Sequence, residues 1–512
     1  TLEEYVDKYI KDHGRAPPPG FDKWYEFSIN KGCVDFDHFD AIYEDLELFW
    51  NVKPADIRAA SKGLDNVLHL ETIKITNGVS SSVSTHTRVV DIRKMMAAFT
   101  EYLPDMELVV NLNDEPRVFI PYEDILRIRG ASALSEISGY HPPLYNDYTH
   151  SIVASESPDT MDIPMEILTG KELFSHASDC CAPDSPLRLW QSGRYNVSDI
   201  EPMYKSLGLV TNYSLTSDLC TVAPLINDKH GFLVAPVGLR KIQKLVPVFS
   251  MTKTSINYDI RIPGDKYHTD AGLYGYDGTH DPDWDEKKEI AMWRGVPSGG
   301  QQRLDSYMKV QRNRLIHLLN ASFTDRPLAT IFCDNKDPYA TTKFTDCQVN
   351  LTEYLKTHAD AGFSSLECLD CEHLADIYDV VPKISSTDQY KDKYVIDVDG
   401  HSFSARFKAF LQSKSLPFKA SIFKEWHDSR LIPWLHFIPM DNALDDTLKL
   451  LTYFTGVEGV IEPHQDVAKQ ISLEGRMHAD LVLRNEDVES YMFLLFLEYA
   501  RLLDDNRDQV GF

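Results

Sequence analysis

From about residue 285 onward, short apolar runs alternate with amphipathic segments. This alternation constrains the fold more than any other feature of the 512-residue chain. Residues 290–293 read as a strand, 294–300 as a glycine-containing turn and 303–320 as a helix. Residues 329–333, 394–398 and 416–422 read as further strands, and 402–412 as another helix. Strand–helix alternation of this kind predicts a right-handed, parallel, doubly wound sheet. The same grammar is present earlier in the chain. Ile92, Met95, Met96 and Phe99 mark one face of a helix over 91–102, which Pro104 ends. Residues 106–112 form a buried strand that runs into Asn113-Asp114-Glu115-Pro116, and apolar runs at 232–236 and 245–250 complete a mostly parallel first sheet.

The expected architecture is therefore α/β with two Rossmann-like domains facing across a cleft. The first spans 61–275 and the second 276–485. An N-terminal helical and aromatic arm covers 1–60, where three consecutive prolines at 17–19 break a first helix and aromatic side chains at 21–27 clamp the arm down. A long amphipathic helix over 486–512 packs back across the domains.

Composition narrows the partners. A net charge of −26 repels nucleic acid and anionic lipid headgroups, whereas it tolerates a neutral glycan. No apolar run reaches bilayer-spanning length, so a membrane association would need an anchor outside this chain. Eight cysteines and four Asn-x-Ser/Thr sequons (Asn196, Asn212, Asn320 and Asn350) lean toward the secretory lumen. The pair Cys368 and Cys371 fits a local disulfide or structural thiols better than half a zinc site.

Ligands of doubly wound sheets bind at the carboxyl ends of the strands, which singles out four segments. In Trp293-Arg294-Gly295-Val-Pro-Ser298-Gly299-Gly300 a strand end, an open turn and a helix start direct N–H groups at one point, and Arg294 adds a forked cation suited to a diphosphate. The alternative is an ordinary turn in which Arg294 makes a structural ion pair. Asp397-Val-Asp399 either chelates a divalent metal or shapes a turn whose neighbour, Arg406, supplies a second phosphate cation; the second reading is preferred, because alternate strand residues face opposite ways. Glu425 follows a strand end and either accepts hydrogen bonds from ribose hydroxyls or stands as a solvated helix-start glutamate. Asp114 closes a buried strand facing the cleft, where a general base belongs, although Asp before Glu-Pro is also common turn chemistry. No nucleophile elbow, zincin helix, EF-hand loop or kinase signature is present.

Taken in order, nine segments resemble glycosyltransferase family 90, the fungal capsule-associated xylosyltransferases more than the Rumi-type protein O-glucosyltransferases. They run from Arg15-Ala-Pro-Pro-Pro-Gly20 and Asn111-Leu-Asn-Asp114-Glu-Pro-Arg117, through Trp293-Arg294-Gly295 and Ser404-Ala-Arg406-Phe407, to Glu425-Trp426 and Pro433-Trp-Leu-His436. The resemblance implies a GT-B fold and inverting transfer from UDP-xylose or UDP-glucose to a glycan, with Asp114 as base. It implies donor contacts from Arg294, Gly295, Ser298, Gly299, Arg406, Phe407 and Glu425, and no required cofactor or metal. Val296-Pro297 departs from the family's Arg-Gly-Ser loop. The first expectation is β-xylosyl transfer to a mannose- or galactose-containing fungal glycan in the Golgi lumen or outside the cell. The alternatives are protein O-glucosylation and, in another class, a non-catalytic glycan-binding relative.

Overall fold

Two five-stranded sheets organise the computed structural model, which describes residues 1–65, 67–132, 142–149, 152, 161–268, 274–323, 328–337, 339–368, 371–385 and 387–512. The first sheet contains β1 (Leu70–Thr76), β2 (Val79–Ser81), β3 (Met106–Asn111), β4 (Val248–Ser250) and β5 (Ile260–Arg261), in the order β2-β1-β3-β4-β5. It is mixed rather than mostly parallel. β1 pairs antiparallel with both β2 and β3, while β3–β4 and β4–β5 are parallel. For β1 and β2 the reason is local: Asn77 and Gly78 both adopt positive φ (49° and 74°), the turn of a two-residue hairpin, and such a turn joins only antiparallel neighbours.

The second sheet is parallel throughout. Its strands are β6 (Lys288–Gly295), β7 (Ala359–Phe363), β8 (Asp392–Val398), β9 (Leu416–Ala420) and β10 (Ile438–Pro439), ordered β7-β6-β8-β9-β10. β8 and β9 are buried along their whole length, as a strand covered on both faces must be. In this order the chain reverses its direction of travel between β6 and β8. A crevice opens at such a switch point, outside the carboxyl ends. The two sheets meet directly: Lys253, beyond β4, and Lys424, beyond β9, exchange backbone hydrogen bonds (3.2 and 2.7 Å).

Several elements differ from expectation. The segment 329–333 is not a strand of the second sheet but half of a separate antiparallel hairpin, Ala329–Asp334 with Phe344–Val349, bridged by Cys333–Cys347. Residues 232–236 form no strand; Gly231–Val234 is a short helix capped by His230. The helix expected over 91–102 is α3 (Thr87–Met96) plus a separate turn at Thr100–Tyr102. The helix expected at 303 starts later, as α4 (Gln311–Leu319), because the backbone N–H of Gln301 donates to Ala235 O (2.7 Å) and Gln302 Nε2 to Pro297 O (2.7 Å), tying this stretch to its surroundings. The helix expected at 402 starts at α5 (Phe407–Gln412).

The chain ends on α6 (Gln465–Val482) and α7 (Asn485–Leu503). Every residue of α7 from Asp487 to Leu503 is buried, so its polar face does not meet water. The N-terminal arm covers that face, with helices α1 (Leu2–His13) and α2 (Phe21–Asn30) on either side of the prolines. Arg501 donates to the carbonyls of Ala16 and Pro17 (2.5 and 3.0 Å), Trp24 Nε1 to Ser490 O (3.0 Å), and Tyr9 Oη to Glu498 (2.5 Å). Glu498 and the guanidinium Nη2 of Arg501 thereby gain partners, without which their burial would cost about 1–3 kcal/mol per group. The same core takes in Phe407, Trp426 and Phe437, so arm, C-terminal helix, first sheet and segments that flank the second sheet share one apolar cluster. Two further disulfides join Cys181–Cys220 and Cys368–Cys371, while Cys33 and Cys180 are buried free thiols. Among the described residues no helix is long and apolar enough to cross a membrane.

Candidate active site

The carboxyl ends of both sheets line one cavity of about 540 Å³. Asp114 beyond β3, Met251 beyond β4 and Asp265 beyond β5 contribute from the first sheet. The turn beyond β6, Ser364 and Ser365 beyond β7, and residues 400–406 beyond β8 contribute from the second. Of the residues singled out from sequence, Asp114, Arg294, Gly295, Ser298 and Arg406 share this cavity.

Asp114 stands on a turn that is fixed from below. Asn111 Oδ1 accepts from Arg117 Nε (2.7 Å) and from the N–H of Asn113 (3.0 Å), and Asn111 Nδ2 donates to Glu115 O (2.9 Å). Buried Asp259 accepts from the N–H groups of Arg117 and Val118 (3.0 and 2.8 Å) and from Ser250 Oγ (2.6 Å), which locks β3, β4 and β5 at this end. Above this scaffold the Asp114 carboxylate is 46% exposed and receives Arg88 at 2.7 Å. The adjacent Glu115 is buried, accepts from the N–H of Val237 (3.2 Å), and is pushed up to about 8 by that burial.

Three guanidiniums face Asp114 across the cavity, in different states. Arg294 is already paired: it donates to Asp360 Oδ1 (2.6 Å) and to the carbonyls of Asp360 and Trp293 (2.8 and 3.1 Å). The structural-ion-pair alternative thus describes Arg294 even though it lines the cavity. Arg406 donates to Arg294 O (2.5 Å), lies over Phe410 and Trp293 (5.5 and 5.9 Å to the ring centroids), and is depressed by burial. Arg312, on the first turn of α4, donates to Asp399 O (3.0 Å), Val296 O (3.1 Å) and Ser298 Oγ (2.6 Å). Burial, with Arg406 beside it, lowers Arg312 to about 9. Among the described residues no carboxylate ion-pairs with Arg312 or Arg406. Arg312 is buried and Arg406 half-buried, and neither has a carboxylate in direct contact, so an anion between them would offset both their repulsion and their desolvation.

The glycine turn supports this site from behind. Gly299 has φ 120°, and a Cβ there would sit 2.6 Å from Gln311 Nε2, so the close approach of turn and helix needs glycine. Its N–H donates to His401 Nδ1 (3.4 Å). His401 also lines the cavity; burial lowers it, against the charge of Asp114 from the opposite wall. Asp397 and Asp399 are turned into the protein. Asp397 meets Lys419 (3.4 Å), while Asp399 meets His230 (3.2 Å) and accepts from Ser421 Oγ and the N–H of Ile422 (2.6 and 2.9 Å). Glu425 and Phe407 stand behind the wall, not on it. Glu425 is buried, accepts from Tyr267 Oη (2.6 Å) and Lys419 Nζ (3.2 Å), and is raised to about 6 by burial, so it is not a solvated helix-start residue. Phe407 packs under the same Lys419 (3.8 Å).

Sequence reading passed over Arg88, Arg312 and His401. Only His401, next to Asp399-Gly400, carried a local signal; an arginine on a helix carries none.

Fold and cavity define a class of α/β protein in which arginines and a carboxylate line one cavity at the carboxyl ends of two sheets. The model of the glycosyl transferase family 90 matches residues 238–509, more than half of the chain, and the chain belongs to that family. It is 34% identical over 124 residues to Protein O-glucosyltransferase 2 of Danio rerio, covering 24% of this chain and 23% of that protein. It is 30% identical over 122 residues to Protein O-glucosyltransferase 1 of Rattus norvegicus, covering 23% and 29%. Uncharacterized protein 179R of Invertebrate iridescent virus 6 is 21% identical over 290 residues, 48% of this chain and 22% of that one. The matches thus span less than a third of each of these relatives.

Proposed function

We propose that the chain is an inverting, UDP-sugar-dependent glycosyltransferase of GT-B architecture, with lobes over 61–275 and 276–485 and the donor held by the second. One observation carries the reading: Asp114, from the first sheet, and two guanidiniums without an ion-pair partner, buried Arg312 and half-buried Arg406, from the second, line one cavity. In this mechanism Asp114 takes the proton of an acceptor hydroxyl. The hydroxyl oxygen bonds to the anomeric carbon as the bond from that carbon to the diphosphate breaks, and its electron pair leaves on UDP. Arg312 and Arg406, with Arg294 at the rim and Ser298, Gly295 and Gly299 shaping the turn, meet the charge that develops there. That arrangement supplies the leaving group's countercharge without a metal. Glu425 and Phe407 act through Lys419, as support for the wall.

The donor of first choice is UDP-xylose and the acceptor a mannose- or galactose-containing glycan, in the secretory lumen. Glucosyl transfer to protein is the second reading, favoured by the activity for which the Danio and Rattus relatives are named. Calorimetric titration with UDP, followed by UDP release from UDP-xylose and UDP-glucose with mannoside and peptide acceptors, tests both. Asp114→Asn is expected to keep UDP affinity and lose most transfer; full turnover in that variant removes the base assignment.

A further inference from the structure

The group in closest contact with Asp114 has no task in this mechanism. Arg88 reaches the cavity wall from the first turn of α3, an element outside both strand-end clusters. Its Nη2 donates to Asp114 Oδ1 (2.7 Å), and its Nη1 donates to Asn113 O (2.8 Å) and Asn111 O (3.4 Å). The side chain of Arg88 is 11% exposed, that of Asp114 46%. An aspartate so exposed at the tip of a turn is not confined by packing; the guanidinium is. Two arms of one planar fork hold the carboxylate and the backbone that carries it, so clamp and clamped group move as a unit.

The geometry points to Arg88 as the positioning residue of this site: it fixes the Asp114 carboxylate in one rotamer by occupying Oδ1, and leaves Oδ2 as the oxygen that accepts the proton. The assignment rests on the proposed role of Asp114. An ordinary surface ion pair contributes little, because both side chains lose entropy for a weak, screened attraction. Here the cation is already immobilised by the strand end, so the ordering cost is met by the fold, and what Arg88 adds is orientation. Misplacing a catalytic group by about 1 Å costs roughly a hundredfold in rate, and deleting partners that orient a site group costs roughly ten- to a hundredfold.

The test uses the full chain, with UDP release from whichever of UDP-xylose and UDP-glucose turns over. Arg88→Met is expected to lower kcat about ten- to a hundredfold with UDP affinity by calorimetry and the melting temperature near wild type. Arg88→Lys, which keeps the charge but not the fork, is expected to recover part of kcat and serves as the folded variant if the methionine does not fold. Combined with Asp114→Asn, Arg88→Met is expected to add no further loss, since it acts through that carboxylate. Unchanged kcat in both Arg88 variants overturns the clamp. So does a parallel loss of UDP affinity, which makes Arg88 a ligand contact, or a full additional loss on the Asp114→Asn background. If instead Asp114→Asn alone turns over like wild type, or wild type uses neither donor, it is the reading of Asp114 that fails, and the assignment falls with it.

Discussion

Replacing Arg406 by methionine should weaken UDP binding without weakening the unliganded protein. Arg406 is half-buried, forms no ion pair among the described residues, and sits beside a second such cation, Arg312. Its contacts are one carbonyl (Arg294 O, 2.5 Å), a long bond to Ser404 Oγ (3.4 Å), and the faces of Phe410 and Trp293. Losing the carbonyl bond costs about 1 kcal/mol, and losing the ring contacts about 0.5–1 kcal/mol. Removing a half-buried charge that no carboxylate pairs directly offsets that loss, and the repulsion felt by Arg312 goes with it. The melting temperature of the ligand-free variant should therefore equal or exceed that of wild type. In the UDP complex the sign reverses. A charge-assisted hydrogen bond to phosphate contributes about 1.5–3 kcal/mol, so Kd should rise roughly ten- to 150-fold. Arg406→Lys should fall between, because a point charge replaces part of the fork. Calorimetry gives Kd and differential scanning gives the melting temperature. The reasoning fails if UDP binds Arg406→Met as it binds wild type, or if the ligand-free variant melts well below it, for then the guanidinium is a structural cation and not an anion site.

Three further outcomes are expected. Glu115 holds its proton in the folded chain up to about 8, whereas unfolded glutamate releases it near 4.5, so its contribution to stability is lost as pH rises through that window; Glu115→Gln should therefore gain melting temperature over wild type at pH 8 and little at pH 4.5, and a gap that does not change with pH refutes this. Cys181–Cys220 closes a separation of 39 residues, so the double alanine variant should lose roughly 4 kcal/mol in denaturant unfolding, and a loss under about 1 kcal/mol refutes the loop-closure estimate. Asn196, Asn212 and Asn350 are exposed, whereas Asn320 Nδ2 donates to Ala361 O (3.3 Å). Made through a secretory route, the first three should carry N-glycans and Asn320 should not, which glycosidase treatment in heavy-oxygen water and mass spectrometry will read out.

The second sheet and Asp114 were legible for the same reason. A buried parallel strand is a continuous apolar run, and the residue after it sits at the carboxyl end where ligands bind. What was not legible depends on partners far away in the chain. A backbone N–H given to Ala235 delays α4, and an Asn-Gly hairpin sets β1 and β2 antiparallel. The polar stripe of α7 reads as a solvent face until the N-terminal arm is laid upon it.

The arginines show the limit most sharply. Arg294 follows an apolar strand and precedes glycines, so local pattern marks it as the phosphate ligand; Arg312, in a helix among Gln311, Asn313 and Arg314, has no mark. Their availability is decided by a different quantity, whether a carboxylate reaches them. Asp360, 66 residues from Arg294 and on the neighbouring strand β7, does reach it, because the parallel register sets Arg294 opposite Gly362. Arg312 is directed instead at the carbonyl ends of β6 and β8, where only backbone and Ser298 answer it. A cation satisfied by its own sheet has less to gain from an anion than one that the fold has buried and left uncompensated. Strand order, more than strand sequence, therefore determines which arginine is left without a carboxylate.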